Sequence, residues 1–149
     1  MKVISTNKKA FTDYTLLETY EAGIELKGTE VKSLREMGAN FKDSFCRIKG
    51  GEVFLLNLNI PPYKNGNIYN HDPERPRRLL LHKKEIHRLL GKVKEQGLTI
   101  IPTKIYFNGK GRVKVEIAVA KGKKQYDKRE DIKKREINKK ISEYMKRSR

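Results

Sequence analysis

The chain has 149 residues and a strongly basic balance, with 35 Lys and Arg against 18 Asp and Glu, a net charge of +17 and a pI near 10. This length predicts one domain, with at most a tail, and the lack of any apolar run approaching about 18–20 residues argues against a membrane-spanning helix. The charge predicts a polyanionic partner, either nucleic acid or an anionic membrane surface, rather than a merely soluble basic protein.

The charge is unevenly distributed. Residues 121–149 hold 13 basic and five acidic side chains, a net of +8, whereas the much longer segment 1–120 carries a net of +9. We therefore predict a globular domain over residues 1–120 and a basic C-terminal tail over residues 121–149. Residues 1–9 are polar and basic, which predicts a mobile arm rather than a signal peptide. The single Cys46 fits a reducing compartment, so we expect a cytoplasmic location.

Residues 14–26 are predicted to form one long strand. Apolar and polar side chains alternate along it, and the apolar set is Tyr20, Ala22, Ile24 and Leu26. A period of two places these side chains on one face. The strand exceeds the usual length of about 5–6 residues, and Gly23 would let it bend sharply, as strands in small closed barrels do.

A short helix is predicted after this strand. Thr29 suits its N-cap, Glu30 its positive end and Gly38 its C-terminal stop. Basic side chains cluster around the helix, and Lys32 and Arg35 are three residues apart and share a face. The predicted phosphate contacts in this segment are Lys27, Lys32 and Arg35.

A hairpin is predicted next, because two apolar runs, 45–48 and 53–58, flank a Gly-Gly pair. Residues 59–78 contain four prolines and are predicted to form a loop, which is either functional or an ordinary surface loop. A second predicted set of phosphate contacts falls in this loop and consists of Arg75, Arg77 and Arg78.

A helix is predicted over residues 82–96, with Gly97 as its stop. Its core-facing stripe is Ile86, Leu89, Leu90 and Val93. Strands over 99–107 and 112–120 complete a set of five, with this helix between the third and fourth. The pattern predicts a mainly β fold with short helices, resembling the OB-fold, a closed five-stranded barrel. A five-stranded open sheet with two helices is the competing architecture, and the long first strand favours the barrel.

No pattern indicates catalysis. The three histidines lack metal-ligand spacing, Cys46 reads as a small core residue, and Gly122-Lys123-Lys124 lacks the rest of a phosphate-binding loop. We expect no enzyme, no catalytic residue, no metal and no cofactor. Three tyrosines could stack on bases, although the phase of the first within its strand favours the core. They are Tyr20, Tyr63 and Tyr69.

The sequence of the tail predicts that this segment folds on binding. A thin apolar stripe at helical spacing runs through Ile137, Ile141, Tyr144 and Met145. Crowded positive charge opposes a free helix, and a polyanion would remove the repulsion. The tail is therefore predicted to be disordered when free and helical when bound.

Several segments together resemble the small protein B family. They are Glu-Ala-Gly-Ile at 21–24, Gly-Thr-Glu-Val-Lys-Ser-Leu-Arg at 28–35, Leu-Leu-Leu-His-Lys at 79–83, Ala-Lys-Gly-Lys-Lys at 120–124 and Tyr-Asp-Lys-Arg at 126–129. They follow the order expected for the family and extend over nearly the whole chain. The resemblance implies an OB-type barrel that binds the tRNA-like domain of transfer-messenger RNA (tmRNA).

The resemblance also implies the partners. They are tmRNA and the ribosome stalled on an mRNA without a stop codon, where the tail enters the decoding centre and the empty mRNA channel. Elongation factor Tu is implied indirectly, through alanyl-tmRNA, with a monomer in the functional complex and no membrane. This function is rescue by trans-translation.

The resemblance places RNA contacts at particular residues. On the barrel they are Glu21, Leu80 and His82. In the tail, the ribosome contacts are Gly122, Lys123, Lys124, Tyr126, Asp127, Lys128 and Arg129, and the basic run Lys133, Lys134 and Arg135 extends this set. Two alternatives remain: a general single-stranded RNA-binding OB-fold protein, and a basic amphipathic tail that docks a membrane or a protein partner.

Overall fold

The computed structural model describes residues 1–64, 70–122 and 137–145, which contain seven strands and four helices. The strands are β1 (Lys2–Thr6), β2 (Tyr14–Ile24), β3 (Phe45–Lys49), β4 (Glu52–Leu56), β5 (Arg77–Leu80), β6 (Thr99–Phe107) and β7 (Val113–Gly122). The helices are α1 (Lys8–Asp13), α2 (Gly28–Met37), α3 (Lys83–Gln96) and α4 (residues 137–145). None of the helices in these ranges is long and apolar enough to cross a membrane.

The strands form a closed ring, here called the strand ring. Their order is β1-β6-β3-β4-β5-β2-β7, and β7 also pairs with β6, so the sheet returns on itself. All of these pairings are antiparallel. The closure confirms the predicted mainly β fold with short helices and excludes the open sheet. The predicted count of five strands is too low, because it omits β1 and β5.

The N-terminal segment is not the predicted mobile arm. Strand β1 pairs with β6 from Lys2 opposite Phe107 to Thr6 opposite Lys104. Asn7 then fixes the end of the strand, because its backbone N–H donates to the carbonyl of Thr103 at 2.7 Å and its side-chain amide to that of Pro102 at 2.8 Å. The prediction failed because the stability of β1 comes from a partner strand about a hundred residues away in the chain.

The predicted long strand is confirmed as β2, which ends at Ile24. It pairs with β7 along most of its length, and Tyr20, Ala22 and Ile24 point into the core. At Gly23, where a bend was predicted, a Cβ built on the glycine would lie 3.2 Å from the Cβ of Leu80. The glycine therefore permits β2 and β5 to approach closely at this point.

The predicted hairpin is also confirmed. Strands β3 and β4 pair in register from Phe45 opposite Leu56 to Lys49 opposite Glu52. Gly50 and Gly51 both have positive φ, 60° and 74°. A two-residue turn with positive φ at both positions matches the right-handed twist of the strands that it joins.

Helix α3 is confirmed with its stop at Gly97, which adopts the left-handed conformation at φ 63°. Helix α2 ends as predicted at Gly38, whose N–H donates to the carbonyl of Leu34. The predicted N-cap at Thr29 is wrong: Lys27 precedes the helix, and the Thr29 hydroxyl instead hydrogen-bonds Nδ1 of the buried His71 at 2.9 Å. Tertiary contact has overridden the local capping preference here.

The core lies inside the strand ring. Cys46 belongs to it, and burial raises the pKa of its thiol, as expected for a small core residue rather than a nucleophile. The predicted tail stripe lies on α4, where Ile137 and Ile141 are buried. The remaining tail residues, 123–136 and 146–149, lie outside the described residues, and so does most of the segment for which free-state disorder was predicted.

Candidate nucleic-acid interface

Three residues that the resemblance implicates lie at one end of β2 and β5. Gly23 pairs with Leu80, and Glu21 shares the outer face of β2 with Gly23 because side chains alternate along a strand. His82 follows Leu80 by two residues, so the two have the same phase. All three named contacts, Glu21, Leu80 and His82, are exposed. Residues far apart in the sequence are thus brought to one outer face.

Neighbouring groups position these side chains. The Tyr106 hydroxyl donates a hydrogen bond to a carboxylate oxygen of Glu21, and burial, together with this bond, raises the pKa of Tyr106. His82 is the N-cap of α3, and its backbone N–H donates to Glu85 at 3.1 Å. Leu80 is 49% exposed, which is unusual for a leucine on a strand otherwise packed into the ring. An apolar side chain near a carboxylate and an imidazole can pack against a sugar or base while the polar groups hydrogen-bond it.

Helix α2 presents the first predicted set of cations to solvent. Lys27, Lys32 and Arg35 are all exposed. Lys32 Nζ lies 5.6 Å from the ring centroid of Tyr63, and Arg35 Cζ lies 5.7 Å from that of Phe107. These cation–π contacts restrain two long side chains and leave their charges on the surface, where phosphate groups can approach.

The second predicted set of cations is arranged differently. Arg75 and Arg77 are 8% and 0% exposed, and both contact Glu30, which is itself fully buried. The Nε of Arg75 lies 3.2 and 3.1 Å from the two carboxylate oxygens, and the Nε of Arg77 lies 2.5 Å from one of them. Arg77 also donates to the carbonyls of Leu58 and Pro73 at 2.7 and 3.0 Å.

One buried carboxylate is the counterion of both arginines in this cluster. Burial alone would raise the pKa of the Glu30 carboxyl, but the hydrogen bond from Arg75 and the charge of Arg77 outweigh it, so the pKa lies below its ordinary value. Burial lowers the pKa of Arg77, opposed by the charge of Glu30. The interpretation of Arg75 and Arg77 as phosphate contacts is therefore corrected: their donors already serve Glu30 and backbone carbonyls inside the fold.

Arg78 is intermediate in exposure between the cations of α2 and the buried Arg75 and Arg77. It is about one-third exposed and forms ion pairs with Glu25 and Glu52, the latter at 2.8 Å. Hydrogen bonds to Glu52 and Glu25 raise its pKa above the ordinary value. A phosphate would have to compete with two carboxylates for this guanidinium, so Arg78 is a weaker candidate than Lys32 or Arg35.

The predicted stacking residues also differ in their exposure. Tyr20 is in the core, as its phase indicated. Tyr63 is partly exposed, and its backbone is held by two hydrogen bonds with the Asn70 side chain. Tyr69 lies outside the described residues. Of the predicted tail contacts, Gly122 is the exposed last residue of β7, and the others, from Lys123 to Arg135, are outside the described residues.

Sequence reasoning missed the role of Glu30. It placed this carboxylate at the positive end of α2, which is where it lies, but not as the counterion of two buried arginines. One available signal was the phase of Arg77, which is two residues from Leu79 on the same strand and so shares its core-facing side. Within the described ranges, no three of the His, Cys, Asp or Glu side chains are grouped so as to hold a metal ion.

Comparisons with known proteins match most or all of the chain. The family model for SmpB protein matches residues 4–147. The SsrA-binding protein of Thermosipho africanus is 85% identical over 149 residues, covering 100% of both chains. The SsrA-binding proteins of Thermosipho melanesiensis and Fervidobacterium nodosum are 86% and 72% identical over at least 98% of this chain.

A solved structure is also similar. A chain in the structure described as "tmRNA-SmpB: a journey to the center of the bacterial ribosome" is 55% identical to this one. The two superpose with a TM-score of 0.70, covering 86% of this chain and 89% of that chain.

Proposed function

This chain belongs to the SmpB protein family, and we propose that it binds tmRNA and acts with it on the bacterial ribosome in rescue by trans-translation. The observation that carries the proposal is the match of the family model to residues 4–147, together with relatives named SsrA-binding protein that align from end to end. The role is one of binding, and the location that it requires is the cytoplasm.

The strand ring supplies the binding surface in this proposal. Glu21, Leu80 and His82 form an outer face with both hydrogen-bonding and apolar groups, which suits a folded RNA with exposed sugars and bases. Lys32 and Arg35 contribute phosphate contacts, which position an RNA without reading its sequence. Phosphate contacts alone would give generic binding, so selectivity for a tRNA-like shape depends on the outer face.

The basic tail is the ribosome-binding part of the proposal. Residues 121–149 carry a net charge of +8, which suits an rRNA-lined channel. Residues 122–124 and 126–129 supply the contacts that the family resemblance implies, and the basic run 133–135 extends this set. Elongation factor Tu would accompany alanyl-tmRNA.

A competition experiment tests the proposal against generic single-strand binding. The full chain is bound to a labelled tRNA-like domain of tmRNA, and unlabelled competitors are added at several salt concentrations. The tRNA-like RNA should compete better than an unstructured RNA of equal length at every salt concentration. Equal competition by both RNAs would leave only generic RNA binding.

A matched pair of variants locates the selectivity. Leu80→Ser should weaken binding of the tRNA-like RNA by about tenfold, as expected for one lost apolar contact. Leu17→Ser is the control, because Leu17 is similarly exposed, 55% against 49%, but lies near the opposite end of β2. Equal effects of the two substitutions would contradict the assignment of the outer face.

A further inference from the structure

Residues 60–64 and 70–71, here called the strap, lie against one face of α2. Two residues of the helix, one turn apart, hydrogen-bond to the strap: Thr29 and Ser33. The hydroxyl of the first lies 2.9 Å from Nδ1 of His71, and the hydroxyl of the second donates to the carbonyl of Pro61 at 2.5 Å. The helix that carries the candidate phosphate contacts is therefore joined at two points to the segment that follows β4.

The two parts of the strap also bind each other. The Asn70 side chain accepts from the backbone N–H of Tyr63 at 3.0 Å and donates to its carbonyl at 2.7 Å. Nε2 of the buried His71 lies 2.8 Å from the Ile60 carbonyl, and because a carbonyl only accepts, this nitrogen carries a proton. In the neutral ring, Nδ1 then accepts from the Thr29 hydroxyl. These bonds fix the backbone at Tyr63 without any help from its ring.

The ring of Tyr63 contacts a cation of α2. Lys32 Nζ lies 5.6 Å from the ring centroid, and Lys32 is three residues from Thr29 and adjacent to Ser33, on the side of α2 that faces the strap. Among the described residues, Tyr63 belongs to none of the three core clusters, and its side chain is partly exposed. Since Lys32 covers one face of the ring, the contact favours a role in holding this cation over the predicted stacking on a base.

The contact changes what it costs Lys32 to bind a phosphate. A lysine ammonium stands on a flexible four-carbon stem, and a side chain that is immobilised on binding loses its rotamer freedom. The Tyr63 ring restricts Lys32 before any RNA arrives. The ammonium has three N–H donors and is exposed, so it remains able to donate to a phosphate oxygen while it lies over the ring.

We propose that Tyr63 is a positioning residue for RNA binding. The strap holds the ring, the ring holds the ammonium of Lys32, and the phosphate contact of Lys32 then forms with a smaller loss of conformational freedom. The proposal rests on the proposed function, in which Lys32 contacts a phosphate of the tRNA-like RNA. It assigns the strap a part in RNA affinity although Tyr63 itself carries no charge.

A double-mutant cycle between Tyr63 and Lys32 tests the proposal. In the full chain, Tyr63→Leu should weaken binding of the tRNA-like domain of tmRNA by about two- to fivefold, the strength of an exposed cation–π contact. The same substitution in a Lys32→Met background, which keeps the length of the side chain without its charge, should leave the affinity unchanged. Equal losses in the two backgrounds would overturn the proposal, because the ring would then act on RNA without Lys32.

Two single variants complete the cycle. Tyr63→Phe keeps the ring and should retain the affinity of the unsubstituted protein, and a loss as large as that of Tyr63→Leu would overturn the proposal. Phe11→Leu is the matched control, because Phe11 is an exposed aromatic residue of α1 that is not assigned to the interface, and its affinity should be unchanged.

Proton NMR of the free full-length protein gives a readout without RNA. The methylene protons next to the Lys32 ammonium should be shifted upfield of those of Lys94, an exposed lysine of α3, because they lie over an aromatic face. Tyr63→Leu should remove this shift. Lys32 protons that match those of Lys94 in the unsubstituted protein would overturn the proposal. This measurement contains no RNA, so its failure is distinguishable from failure of the proposed function, which the RNA competition reports.

Discussion

The Nε of Arg77 donates a 2.5 Å hydrogen bond to a carboxylate oxygen of Glu30, and neither side chain is exposed. This contact joins the first turn of α2 to the start of β5. Helix α2 carries Lys32 and Arg35, and β5 ends at Leu80. The buried ion pair therefore holds together the two elements that present the candidate RNA contacts.

Substitution of Glu30 should cost more stability than a surface substitution. Glu30→Gln keeps the shape but leaves Arg75 and Arg77 buried without a counterion, which should lower the free energy of unfolding by about 3–5 kcal/mol. Glu36→Gln on the exposed side of the same helix is the control and should change it by less than about 0.5 kcal/mol. Urea unfolding monitored by circular dichroism measures both, and similar losses would contradict a special role for the buried pair.

The same carboxylate predicts a dependence on pH. Because the fold lowers the pKa of Glu30 below 4.5, its ordinary value, the ionised form favours folding. Its stabilising contribution should be complete above pH 4.5 and should be lost as the pH falls through the lower folded-state pKa. The difference in unfolding free energy between the unsubstituted protein and Glu30→Gln should thus become smaller as the pH falls below 4.5. A difference that stays constant between pH 7 and pH 3 would contradict the assignment.

Local patterns predicted the elements whose stability is local or strongly periodic. The alternation in β2, the glycine pair between β3 and β4, and the apolar stripe of α3 each identified an element correctly. Strands β1 and β5 were missed because both are short and rich in polar residues. Strand β1 depends on pairing with β6, and β5 depends on a buried ion pair that forms only in the folded chain.

The candidate site was predicted only in part, again because the sequence shows local patterns and not distant partners. The spacing of Lys32 and Arg35 on a short helix placed both on the exposed side, where the structure has them. Arg75 and Arg77 looked equally available in the sequence, because nothing near them in the chain shows that Glu30 lies against them. An arginine can be buried only where a carboxylate or carbonyl groups lie against it in the fold. A single sequence does not show that Glu30, about 45 residues away, is this partner.

Removal of one exposed cation should change RNA binding in a salt-dependent way. Arg35→Ala should weaken binding of the tRNA-like RNA and reduce the slope of log affinity against log salt by about 1, as expected for one lost phosphate contact. Lys94→Ala, an exposed cation near the end of α3 that is not assigned to the interface, is the control. Titrations over several salt concentrations measure the slopes, and identical slopes for the two variants would contradict a phosphate contact at Arg35.

Removal of the tail should separate the two binding activities. A chain that ends at Gly122 keeps all of β7 and the strand ring, so it should still bind the tRNA-like RNA. It lacks the basic segment proposed to enter the ribosome, so peptide tagging in a reconstituted translation assay should be abolished. Normal tagging by the truncated chain would contradict the role of the tail.

The central claim, that this chain is a partner of tmRNA, is tested most directly by the RNA that it carries in cells. The full-length protein is isolated from its native host under mild salt, and the bound RNA is sequenced and compared with total RNA. The account predicts that tmRNA is the most strongly enriched species. A broad mixture that follows cellular abundance, with no enrichment of tmRNA, would contradict it.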